Sequence, residues 1–141
     1  MPGEVLVALS RWAGQTVAAA LLPIEERLLG PEHPATLNAR ANLARWTGVA
    51  GDAAGARDQF AALLPIRERV SGPEHPSTLL TRANLALWTG QAGDAAGARD
   101  QHAALLPIQE RVLAPEHPLT LATRDDLPYW TEKAEESARG V

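Results

Sequence analysis

The chain copies itself at a fixed interval of 42 residues, and no other property of the sequence restricts its fold as severely. Gly51-Asp52-Ala53-Ala54-Gly55-Ala56-Arg57-Asp58-Gln59 returns as Gly93-Asp94-Ala95-Ala96-Gly97-Ala98-Arg99-Asp100-Gln101. Residues 47–88 and 89–130 agree at 31 of 42 positions, with no gap. An earlier copy covers Leu21–Trp46, so that Pro-Glu-His-Pro occurs at Pro31, Pro73 and Pro115. A period of this length signals stacked supersecondary units, each unable to bury its apolar face alone. Composition says which units. The 27 Ala and 20 Leu are helix formers, whereas Val and Ile together number only 10, which argues against a β-sandwich or barrel.

Each period reads as two helices. The first starts at Pro34, where proline's missing N–H costs little, and runs through Leu37, Ala41, Leu43-Ala44 and Trp46 to about Ala50. Gly51 ends it, and Asp52 caps the second helix, whose Ala56, Phe60, Leu63-Leu64, Ile66 and Val70 recur at helical spacing. Gly72-Pro73 stops that helix. Pro65, repeated as Pro23 and Pro107, removes one backbone bond inside every second helix, so a bend is expected there.

The string Gly72-Pro73-Glu74-His75-Pro76, Thr78-Leu79, Arg82, Asn84-Leu85-Ala86 and Gly93-Asp94 resembles the 42-residue tetratricopeptide repeat of the kinesin light chain type, also met in bacterial arrays. The resemblance covers residues 21–132. It implies an all-α, right-handed solenoid of stacked helix hairpins, here about seven helices, whose first helices line a concave groove for a peptide or partner helix. The expected divisions are a truncated N-terminal capping repeat at 1–30, repeats at 31–72 and 73–114, and a C-terminal capping helix at 115–141.

Both ends depart from the repeat. Arg11-Trp12-Ala13-Gly14 echoes Arg45-Trp46-Thr47-Gly48, yet Pro23 follows Trp12 by 11 residues where Pro65 follows Trp46 by 19. Eight residues of turn and second helix are therefore absent, and the first unit is either a shortened cap or two helices fused. At the other end, Pro128 stands where the first helix of a unit is continuous, and a charged segment follows, as suits a polar cap.

Several in-phase series invite functional readings. His33, His75 and His117 could suggest zinc, but zinc requires ligands about 2 Å from one ion. Equivalent residues in stacked helices lie about 10 Å apart, so helix capping is favoured and no metal is expected. Trp46, Trp88 and Trp130 should pack between successive hairpins. Arg40, Arg82 and Arg124 should form structural ion pairs with a Glu such as Glu32 or Glu74. His102, in the place of Phe60, is expected to be a half-buried packing residue.

Carried over from the resembling family, the groove-lining set is Asn38, Ala41, Asn42, Arg45 and Val49, then Leu80, Ala83, Asn84, Leu87 and Gln91, then Ala122, Asp125, Asp126, Tyr129 and Lys133. Five of the 11 differences between the two best copies fall in this set, as a varied binding face on a retained scaffold would show. Asn42 and Asn84 can offer both donor and acceptor to an extended peptide. The leading expectation is a non-enzymatic protein-interaction module without cofactor, binding through Asn38, Asn42, Arg45, Leu80, Asn84, Leu87, Gln91, Asp126 and Tyr129. No cysteine, nucleophile elbow, His-Glu-x-x-His or phosphate loop is present.

Two alternatives stand beside it. A homodimer could form through Val5, Leu9 and Trp12 on the shortened first unit. A small-molecule binder or unusual enzyme of a bacterial pathway is motivated by Trp12, His102 and Tyr129. The net charge of −4 argues against nucleic acid as a general partner. No run approaches the roughly 18 apolar residues of a membrane span, and a cytoplasmic location is the default expectation.

Overall fold

The computed structural model describes residues 2–140, with side chains from residue 13 onward. Six helices follow one another: α1 (Pro2–Leu29), α2 (Pro34–Val49), α3 (Ala53–Ser71), α4 (Pro76–Gln91), α5 (Ala95–Val112) and α6 (Pro118–Ala138). Each packs mainly on its neighbour in sequence, and α2, α4 and α6 also touch one another across the array. Among the described residues the helices number six, close to the about seven expected. Of the two readings of the first unit, the fused one holds: α1 runs unbroken through the place where other units turn. No described helix is long and apolar enough to cross a membrane.

The caps act as the sequence suggests. Asp52 and Asp94 each accept from the backbone N–H three residues on, at 2.8 Å. Each Pro-Glu-His-Pro histidine is an N-cap whose Nδ1 accepts from a first-turn N–H at 3.1 Å: His33 from Ala35, His75 from Ser77 and His117 from Leu119. The accompanying glutamate ties the start of each hairpin to the end of its second helix, Glu32 to Arg69 and Glu74 to Arg111, each in a two-pronged carboxylate–guanidinium contact. The expected ion pairing is corrected in its partners, because Glu32 and Glu74 take Arg69 and Arg111 and not Arg40 and Arg82. Arg124 instead meets Glu110 at 3.5 Å. Pro23, Pro65, Pro107 and Pro128 all sit within helices, so Pro128 does not end α6.

Leu37, Ala44, Phe60 and Leu63 form the buried centre of one hairpin, and Leu85 and Trp88 of the next unit pack against it. Trp130 is buried with Ala95, Ala98 and Ala134. The tryptophans therefore pack between hairpins, as expected. Each lies on a glycine of the preceding unit: Trp46 on Gly14, Trp88 on Gly48 and Trp130 on Gly90. The missing Cβ sets how closely the helices approach.

Candidate partner-binding groove

A cleft of about 310 Å³ lies between α2 and α4, with α3 as its floor. Asn38, Ala41 and Asn42 line one wall and Ser77, Leu80, Thr81 and Asn84 the other, while Phe60 and Arg67 lie beneath. Asn38, Asn42, Leu80 and Asn84 of the sequence-derived set therefore converge on one space. Helix geometry explains this, since positions three and four apart share a face. Asn84 spends one amide N–H on the Leu80 carbonyl of its own helix, at 3.1 Å, leaving its Oδ1 and the other N–H for a ligand.

The remaining members of the set lie outside this cleft. Arg45 is exposed and its guanidinium stacks 5.6 Å from the centre of the Trp46 ring on its own helix. Gln91 is exposed and Leu87 half-buried. In the third unit Tyr129 is 50% exposed, edge-on to Trp130, with the Lys133 ammonium 5.6 Å above its ring. Asp126 turns to His102, its Oδ2 lying 3.9 Å from Nε2. His102 is buried, not half-buried, and its Nδ1–H donates to the Ala98 carbonyl at 2.7 Å. Helix packing thus supplies a carboxylate that linear distance hid. Val5, Leu9 and Trp12 lie outside the residues whose side chains are described.

Arg67 escaped the sequence reading. It is only 4% exposed, its Nη2 donates to Asn38 Oδ1 at 2.6 Å, and its Nε has no protein partner. Burial pushes its pKa down from the usual arginine range. A buried cation with an unused donor at the bottom of an open cleft is an electrostatic demand that an acceptor can meet. The sequence did carry a signal. Asn38 and Arg67 are replaced together, one period on, by Leu80 and Gln109.

On the opposite face, two in-phase clefts are lined by Leu22, Arg40, Leu43, Asp58, Gln59 and Ala62, and by Leu64, Arg82, Leu85, Asp100, Gln101 and Ala104. Arg57–Asp58 and Arg99–Asp100 hydrogen bonds at 3.0 and 2.9 Å repeat beside them. No group of three metal-ligating side chains occurs among the described residues.

Stacked hairpins in 42-residue register, closed by in-phase caps, define a helical-repeat solenoid. A family model described as tetratricopeptide repeat matches residues 36–77 and 78–119. The chain belongs to the tetratricopeptide repeat family, whose members are generally protein-interaction modules and typically non-enzymatic scaffolds. Among solved structures, it is similar to a putative kinesin light chain with nearly identical TPR-like repeats from Podosopora anserina, at 23% identity and a TM-score of 0.80. A singly substituted form of that protein gives the same values. The likeness covers 95% of this chain, which spans 66% of the length of those chains. No curated protein matches the chain.

Proposed function

We propose that the chain is a non-enzymatic interaction module that takes a peptide or partner helix between α2 and α4. The observation that carries this reading is Arg67, a buried guanidinium with an unused donor beneath a rim of Asn38, Asn42 and Asn84. An incoming carbonyl or carboxylate reaching Nε replaces a missing hydrogen bond, and a buried donor left unpaired costs about 1–3 kcal/mol. The neighbouring Leu80, 44% exposed, offers apolar contact on the same rim.

The test is capture from lysate by the wild-type chain and by two variants. Asn42→Ala/Arg45→Ala/Asn84→Ala removes polar groups of the rim and its flank, and Arg67→Gln installs the residue the next unit uses. Both should lose the captured partner with helical circular dichroism unchanged. Retention of the partner by both variants removes the groove from the function.

A further inference from the structure

The first hairpin lacks the helix that covers its apolar face. Counting back one period, Ala18, Leu21 and Trp46 correspond to Phe60, Leu63 and Trp88. In the interior unit, Phe60 and Leu63 are buried with Leu37 and Ala44 of α2. Among the described residues, nothing stands against α1 in the place α2 takes against α3. Leu21 is 48% exposed where Leu63 is 0%, and Val17, Ile24 and Leu28 continue the stripe at 56%, 43% and 73%. The result is an open cleft of about 420 Å³ lined by Val17, Ala18 and Leu21 on one side and Ala39, Asn42 and Trp46 on the other.

The chain itself spells a helix suited to this cleft. Leu9-Ser10-Arg11-Trp12-Ala13-Gly14 repeats the pattern of Leu43-Ala44-Arg45-Trp46-Thr47-Gly48 in the covering helix α2. It cannot fold back on its own molecule, because the turn has been removed and the string continues straight into Leu29 as part of α1. A shortened hinge of this kind is the ordinary origin of an exchanged element.

We infer that the occupant is α1 of a second copy, packed antiparallel so that each molecule's N-terminal half covers the other's C-terminal half. The register follows from the interior hairpin. Arg67 bonds to Asn38 at 2.6 Å, and Gln59 to Thr47 at 3.1 Å. Moving first-helix positions back by 34 and second-helix positions by 42 sets position 4 opposite Glu25, and Ala13 opposite Val17. Both pairings are centred on Gly14–Gln15. That point lies within one residue of the middle of α1, which spans Pro2–Leu29. The arrangement is therefore its own two-fold mate, as an isologous dimer requires, and it uses the helix from end to end. The same register opposes two glutamates, 4 and 25, at each end, so Glu25→Arg, the residue type found in phase at Arg67, should tighten the pair.

The test uses the whole chain, which has no native cysteine. Sedimentation equilibrium at micromolar concentrations should give twice the 15.0 kDa chain mass. Leu21→Glu should return it to monomer with its helical circular dichroism intact, whereas Arg67→Gln, in the groove, should leave it dimeric. For the register, Ala13→Cys and Val17→Cys chains mixed one to one should cross-link on oxidation far more than either alone. A wild-type monomer, a dimer that survives Leu21→Glu, or a mixture that cross-links no better than its components overturns the inference.

Discussion

Substituting Gly48 by Ala should destabilise this protein, although the same change in an ordinary helix interior stabilises by about 1 kcal/mol. The reason is one contact between units. A Cβ on Gly48 would lie 2.5, 2.6 and 2.7 Å from three carbons at the edge of the Trp88 indole. Ordinary carbon–carbon contact is about 3.5–4.0 Å, so the overlap approaches 1 Å at a rigid ring. The ring cannot simply withdraw, because Trp88 packs against the buried Leu37, Ala44, Phe60 and Leu63. Overpacking of this kind costs about 1–3 kcal/mol, which offsets the helix-propensity gain of about 1 kcal/mol and leaves a net loss of up to about 2 kcal/mol. Urea unfolding followed by circular dichroism and by tryptophan fluorescence measures it, coincident transitions establishing that one free energy describes the change. The decisive arm is the Trp88→Leu background. With the indole gone, Gly48→Ala should reverse sign and stabilise by about 1 kcal/mol. Stabilisation in the wild-type background, or an equal effect in both, refutes the account of the glycine as the ring's seat.

Two further outcomes follow from departures between units. Ala114 has φ +107°, while the in-phase Gly30 and Gly72 have +93° and +103°, so Ala114→Gly should stabilise by about 1 kcal/mol and Gly72→Ala should cost a similar amount, read as shifts in the urea midpoint. Hydrogen bonds from Arg69 and Arg111 hold the Glu32 and Glu74 carboxyls below their usual range. Their contribution is therefore present above the ordinary carboxylate pKa and lost as pH falls through the depressed folded values. Glu32→Gln/Glu74→Gln should flatten the acid limb of a stability–pH profile below about pH 4.5, and salt should shrink the difference.

The sequence displayed features that are local to one helix end or carry a recurring side-chain pattern, and concealed the pairings that only helix packing sets. Period, hairpins, aspartate and histidine caps and the inter-hairpin tryptophans were legible because each is local or recurs every 42 residues. The glycines beneath the tryptophans were not, although each stands two residues after a tryptophan. A missing side chain leaves no pattern, and the ring it receives comes from the following unit. Each period offers its glutamate more than one arginine, and only helix placement selects Arg69 and Arg111 over Arg40 and Arg82. His102 and Asp126 lie 24 positions apart and meet only because α5 packs on α6. Half of the candidate groove was readable from first-helix spacing. Its floor was not, since Arg67 comes from a second helix and resembles any solvent-facing arginine until Asn38 is found beside it.

The residue in phase with Arg67, one unit on, yields the last prediction. Gln109 is 0% exposed, and neither its side-chain nitrogen nor its oxygen has a partner in the protein. In phase with Arg67 it has lost its counterpart as well, since Asn38 is matched by Leu80. Two buried polar atoms left unpaired each cost about 1–3 kcal/mol, against which the apolar stem recovers only part. Gln109→Leu keeps most of the volume and removes both unsatisfied atoms, so it should raise stability by about 1–2 kcal/mol in the same urea assay. A buried polar group retained at a cost in stability is the pattern expected where a ligand, not the fold, uses the group. If Gln109→Leu is neutral or destabilising, the amide is satisfied within the folded protein and its burial carries no such cost.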